Sequence, residues 1–239
     1  MIDIKLGKVV EEAIEWISIE AAPFFDGVTA VVETLVQGFQ GILLWPHPFV
    51  MMGIIAIAAY LLTSKGHKPF SKAGWKAGYG MFVFSILGLF LLYGMGFWEE
   101  TMQTFALVLT SALIALVIGI PVGIWASRND TVERIVRPIL DFMQTMPAFV
   151  YLIPAILFFS VGNVPGVVAT VVFSLPPAVR LTNLGIRNVP TDVVEASHSF
   201  GCTERQLLFK VQIPLAKPTI LAGVNQVIML ALSMVVIAS

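Results

Sequence analysis

Side chains able to do acid–base, nucleophilic or metal chemistry are sparse here: fifteen Asp and Glu, three His and one Cys in 239 residues. His47, His67 and His198 fall in separate connections, so they do not share a metal site. Cys202 stands alone, which excludes an intrachain disulfide. The sequence contains no G-x-x-x-x-G-K-[ST] to cradle phosphates, no H-E-x-x-H and no G-x-S-x-G. The expectation is a chain that is not an enzyme and holds no cofactor or metal. What stands out instead is VEASHSFGCTERQLLFKVQIPLAKP, Val194–Pro218, a segment with five charges between two apolar runs. Thr191 is expected to cap a short helix there, with Asp192 at its positive end. Gly201 is expected to stop it. A second short helix is expected from Thr203 to Val211, with Leu207, Leu208 and Val211 on one side and Pro214 and Pro218 before the next apolar run. Two short helices about a glycine make a compact projection, a shape suited to recognition.

The elements that carry this projection are read from composition. Hydrophobic residues make up 57% of the chain and charged residues 12%, against about 25% charged in soluble domains. With a mean hydropathy of +0.89, the apolar excess calls for lipid as solvent. The net charge of −1 gives no field to draw nucleic acid. No signal peptide is evident, since Glu11, Glu12, Glu15 and Glu20 occupy the place of its apolar core.

Five charge-free runs predict six spans in an all-α polytopic bundle. They are 34–64, broken by Trp45-Pro46-His47-Pro48 so that the span is Pro48–Ser64; 77–98; 101–127; 142–179, read as two helices joined by a turn at Val161–Gly166; and 218–239. Lys65, Lys68, Lys72 and Lys76 follow the first span, Arg128, Arg134 and Arg137 the third, and Arg180, Arg187, Arg205, Lys210 and Lys217 the fifth. Twelve of the fourteen basic residues thus fall on one side, which the positive-inside rule makes the cytoplasm, with the N-terminus outside. Trp45, Trp75, Trp98 and Trp125 at or near span ends match an aromatic belt. Residues 1–45 carry amphipathic stripes on either side of Pro23, and are expected to lie on the outer membrane surface or to pack on the bundle.

No predicted span holds Asp, Glu, Lys or Arg, the usual partners of a coupling ion, so the energy for uphill transport is expected to come from another subunit. Gly119-Ile120-Pro121-Val122-Gly123 places two small residues four apart, which lets helices approach closely. Pro147, Pro154 and Pro176-Pro177 loosen neighbouring spans.

The segment Glu195-Ala196-Ser197, three residues, Gly201, nine residues, Val211-Gln212-Ile213-Pro214 resembles the cytoplasmic signature of importer-type ABC permeases, E-A-A, three residues, Gly, nine residues, I-x-L-P. Ser197, Val211 and Ile213 depart from the consensus, while the spacing of glycine and proline is intact. The stretches from Trp98 to Ser239, among them PILDFMQTMPAFVYLIPAILFF and GVVATVVFSLPPAVRLTNLGIRNVP, look like the permeases of glycine betaine/proline betaine importers. The resemblance implies a surface segment over 1–45, accessory spans over 46–98, and a core permease domain over 99–239 with a coupling segment at 190–218. Glu195, Ala196, Ser197, Gly201 and Pro214 would then engage a cytoplasmic ATPase subunit that holds ATP and Mg. A second copy of the permease, an external solute-binding protein or fused binding domain, and membrane lipid are the other implied partners. The family continues past an apolar run like the one in which Ser239 falls, so further chain is expected.

A betaine is zwitterionic, and an uncharged conduit suits it. Met143, Gln144, Met146 and Phe149 are expected to line that conduit near a bend at Pro147. Phe142, Phe149, Tyr151, Phe158 and Phe159 offer either a cage for a quaternary ammonium or ordinary packing. The alternative classes are a self-sufficient secondary carrier or channel for a small zwitterion or amine, and a scaffold that binds without transporting.

Overall fold

The computed structural model describes residues 16–17, 19–64 and 72–238, the side chains of 72–77 apart. Among the described residues ten α-helices follow in order: α1 Ala22–Leu44, α2 Pro48–Thr63, α3 Lys72–Gly94, α4 Trp98–Arg128, α5 Asp130–Thr145, α6 Leu152–Phe159, α7 Asn163–Arg187, α8 Thr191–Ser199, α9 Glu204–Gln206 and α10 Ile213–Ala238. A 3-10 turn over Ala148–Tyr151 precedes α6, and a π turn over Leu207–Gln212 joins α9 to α10. Among the described residues there is no strand. The chain divides into two compact units, one of residues 1–34 and 107–239, the other of residues 35–106.

In the larger unit α7 is the hub. Its buried side is built from small or hydroxylated residues, Gly166, Ala169, Thr170, Ser174, Ala178, Thr182 and Gly185. The hydroxyls of Thr170 and Ser174 donate to the carbonyls one turn back, at 2.6 and 2.7 Å, so neither hydroxyl is buried unpaired. Helix α4 lies against α7 at the predicted small-residue pair. A Cβ placed on Gly119 would sit 2.5 Å from the Ala178 Cβ, and one on Gly123 2.7 Å from the Thr182 Cβ. Antiparallel α10 meets the other side: Gly185 faces Ala216 and Thr219, Gly223 faces Leu181 and the Pro177 carbonyl, and Gly166 faces Ala238. Since lipid tails are as apolar as leucine, it is this close approach that holds such helices together. At the far end Phe25 stacks on Phe158, with ring centroids 4.9 Å apart, and meets Phe159 edge-on.

In the smaller unit α2 and α3 form a helical hairpin. Tyr60 covers Gly78, where a Cβ would lie 2.5 Å from the ring, and meets Phe82 edge-on. Phe49 and Tyr93 close its other end with centroids 5.2 Å apart.

Among the described residues four helices are long and apolar enough to cross a membrane, or five if the bent pair formed by α5 and the segment Ala148–Phe159 counts as one span. Pro48–Thr63 and Gly78–Gly94 are apolar but shorter. The expected spans therefore need three corrections. Helix α1 is a single 23-residue helix that has the length and hydropathy of a crossing segment, while it also keeps a buried stripe through Val32, Val36 and Leu43. The expected fourth span is not one helix: α5 and the segment that follows meet at a bend of 110° at Met146–Pro147. Proline cannot donate to the ladder and pushes the residue before it out of the helical region, and Met146 is accordingly extended, with φ −86° and ψ 139°. Finally, the turn expected at Val161–Gly166 is shorter. It occupies 160–162, with Ser160 at φ 61° and Gly162 at φ 157°, and Pro165 is taken into the first turn of α7, where its missing N–H costs nothing.

Candidate functional site

The projecting segment is fixed by two caps placed back to back. Helix α8 ends in a paired-bond stop: Gly201 N–H donates to the His198 carbonyl at 2.8 Å, and Cys202 N–H to the Ser197 carbonyl at 3.2 Å. Gly201 takes φ +78°, the left-handed conformation such a stop requires. Two residues on, Thr203 opens α9 with a capping box. Its hydroxyl accepts from the Gln206 N–H at 3.4 Å, and the Gln206 side-chain oxygen accepts from the Thr203 N–H at 2.9 Å. Thr191 does not cap α8; Pro190 holds that position, with φ −54° and ψ 135°, and Thr191 is the first helical residue, so no side chain caps this end.

The second arm is also not a separate helix. It runs on through the π turn into α10, giving 35 helical residues from Glu204 to Ala238. Pro214 has no N–H for an ordinary bond and its ring would strike the carbonyl one α turn back. The wider π turn relieves that clash, and Ile213 N–H bonds instead to the Leu208 carbonyl five residues earlier.

Glu195 and Ala196 lie exposed on α8, while Ser197 is half-buried with its hydroxyl donating to the Val193 carbonyl at 2.7 Å. Gly201 is exposed between the arms and Pro214 is exposed at the start of α10. The fold thus brings Glu195, Ala196 and Ser197 onto one arm, sets Gly201 in the turn that ends it and leaves Pro214 on the other arm. At the apex Phe200 is 88% exposed, an apolar ring with little cover among the described residues.

Ion pairs brace this projection and the helices behind it. Arg128, at the end of α4, pairs with Glu204 and donates to the Gln212 side chain at 3.3 Å. His198 lies 3.6 Å from the same Glu204. Arg187 binds Asp130 at 2.7 Å, Glu133 at 2.9 Å and the Ala126 carbonyl at 3.0 Å, tying α7 to α5 and α4. Arg180 pairs with Asp141. Neither the capping box nor these pairs was anticipated. The T-x-x-Q spacing at Thr203–Gln206 was visible in the sequence, but pairings 39 to 84 residues apart had no local signal.

Between α5 and α7 lies a cleft of about 390 Å³, with Ala126 of α4 also on its wall. Apolar Val136, Leu140 and Leu184 share its lining with Glu133, Arg137, Asp141, Arg180 and Arg187. The expected conduit residues follow directly along α5. Met143 and Gln144 are in its last turn, Met146 is at the bend and Phe149 is in the 3-10 turn. Met143 and Met146 are half-buried, and Gln144 and Phe149 are exposed. The bend is latched by the Tyr151 hydroxyl, which donates to the Met143 carbonyl at 2.5 Å. The five span aromatics do not converge on one cage. Phe158 and Phe159 pack on Phe25, Tyr151 lies near Phe173, and Phe142 and Phe149 are exposed. Of the histidines, His47 belongs to the smaller unit, His198 to the larger, and His67 lies outside the described residues.

Long apolar helices packed closely through glycine define a multi-pass α-helical membrane protein. The family model for the binding-protein-dependent transport system inner membrane component matches residues 115–239, more than half of the chain. The chain is 49% identical over 236 residues to a glycine betaine transport system permease protein of Bacillus subtilis, covering 99% of this chain and 79% of that one. It is 51% identical over 216 residues to a glycine betaine/carnitine transport permease protein of Listeria monocytogenes, covering 90% and 73%. Against a glycine betaine/proline betaine permease of Escherichia coli it is 48% identical over 236 residues, covering 99% of this chain and 63% of that longer relative. The chain belongs to the binding-protein-dependent permease family.

Proposed function

We propose that this chain is the transmembrane permease subunit of an ATP-driven importer of compatible solutes such as glycine betaine, and that it works by alternating access. The observation that carries this is the near 50% identity to glycine betaine permeases over almost the full chain, with the Glu195, Gly201 and Pro214 spacing kept. The chain moves solute and leaves chemistry to others: ATP and Mg belong to a cytoplasmic ATPase subunit. The double-capped projection 190–218 is the docking element for that ATPase, with Glu195, Ala196, Ser197 and Gly201 on the arm that seats and Pro214 where the last helix begins. The basic residues after α2, α4 and α7 favour the cytoplasm for this face and the outer side for the start of α2. A second copy of the permease completes the conduit, an external solute-binding protein or fused domain delivers solute, and lipid surrounds both. Residues 46–98 form accessory spans and 99–239 the core. Met143, Gln144, Met146 and Phe149 line the conduit at the Pro147 bend, and the absence of charge there suits a net-neutral solute.

The test is uptake of labelled glycine betaine by vesicles that hold the full-length protein, with and without its ATPase, its binding protein and interior ATP. Uptake that needs both ATPase and ATP is the expected result. Uptake driven by an ion gradient without either would replace the importer by a carrier, and the projection would then need another role.

A further inference from the structure

The cleft between α5 and α7 has a chemistry its ion pairs do not exhaust. Arg180 pairs with Asp141 through one terminal nitrogen, yet its Nε is buried with no partner. A buried donor left unpaired is costly, and each one in a folded protein asks for an acceptor. Arg137 lies on the same wall, one helical turn before Asp141, and has no ion pair or hydrogen bond among the described residues. Three arginines and two carboxylates line the cleft, so its lining carries one formal positive charge in excess. Val136, Leu140 and Leu184 give the same space an apolar wall. At about 390 Å³ it falls within the size range of small-molecule sites. Met143 and Gln144 lie within a turn of Leu140 and Asp141 on the same helix, so the cleft adjoins the bend assigned to the conduit.

We infer that this cleft is a low-affinity subsite for the transported zwitterion at the inner mouth of the conduit, with Arg137 and the Arg180 Nε as donors to its carboxylate. This rests on the importer function proposed above. A guanidinium is matched to a carboxylate in geometry and charge. A quaternary ammonium has no N–H to offer, so it is served by apolar walls and a nearby carboxylate, which Leu140, Leu184 and Asp141 supply. A site here would hold solute just before release, and solute accumulated inside would occupy it and slow further turnover.

The experiment uses the whole transporter, permease with its ATPase and binding protein, in vesicles supplied with interior ATP. Initial uptake of labelled glycine betaine is measured against rising interior glycine betaine, or interior choline, which has the ammonium but no carboxylate. Interior glycine betaine is expected to slow uptake, and choline at the same concentration is not. Arg180→Lys keeps a charge for Asp141 but removes the Nε donor. It and Arg137→Gln should each raise the half-inhibiting interior concentration by about tenfold, the loss of one charge-assisted hydrogen bond. Arg134→Gln, whose side chain does not line the cleft, should leave that concentration unchanged. ATP-driven uptake with no inhibition from inside, inhibition by choline equal to that by glycine betaine, or unchanged inhibition in both cleft variants would overturn the subsite and leave the importer standing. Should one arginine variant fail to assemble, the other variant and the choline comparison decide. Wild-type uptake that does not need ATP would overturn the importer and the subsite with it.

Discussion

Gly201 allows the docking role to be tested by backbone geometry alone. Its φ of +78° lies where an L side chain meets its own carbonyl, and a Cβ built there has nothing within 4 Å. Any cost of substitution therefore comes from the backbone and none from neighbours. For alanine that cost is about 1–2 kcal/mol, which shifts the balance between the capped turn and other loop forms about 5- to 30-fold. Asparagine visits the left-handed region more readily and should cost less, whereas β-branched valine should cost more. The expected order of damage is thus Asn, Ala, Val. The assay is ATP hydrolysis and solute uptake by the reconstituted transporter, scored as solute moved per ATP, with thermal unfolding of the detergent-solubilised complex alongside. Coupling should fall in that order while the melting temperature barely moves, since Gly201 is exposed and a Cβ there meets no neighbour. If Asn damages coupling as much as Val, φ is not what matters. If all three variants couple normally, the projection does not depend on its stop and the docking argument fails.

Two further outcomes follow from the packing. Gly119→Ala drives a methyl into Ala178 and should destabilise the α4–α7 contact by about 1–3 kcal/mol, seen as a lower melting temperature in detergent; adding Ala178→Gly should recover most of it, and no recovery would mean the contact is not the one that matters. Tyr151→Phe removes the hydroxyl that latches the Met143 carbonyl and should cost about 0.5–1.5 kcal/mol with slower uptake, whereas unchanged stability and rate would show that the bend holds without its latch.

Much of the site was legible because its signals are local. Gly201 after a short amphipathic stretch announces a stop, and Gly119 and Gly123 announce a close crossing whichever helix turns out to be the partner. The capping box at Thr203–Gln206 was equally local and was simply overlooked. Other features could not be read along the chain. Charges at Arg128, Arg180 and Arg187 served to orient the spans, but their partners Glu204, Asp141, Asp130 and Glu133 are chosen by how helices pack. The bend at Met146–Pro147 was marked by its proline, yet nothing local distinguishes a gentle kink from a 110° reversal. Pro214 suggested a boundary, and only the π turn reveals that the helix continues across it.

That π turn has a mechanical consequence. Between Glu204 and Ala238 the helix is a continuous shaft, with Arg128 gripping its foot through Glu204 and Gln212 and α7 gripping its length. A wide turn holds an additional residue relative to an α turn, and one residue rotates an α-helix by about 100°. The azimuth of every side chain from Ile213 onward, relative to the foot, is thus set within six residues. Because Pro214 keeps that turn wide, the azimuth is locked, and the shaft presents one fixed stripe, through Ala216, Gly223 and Met234, to α7.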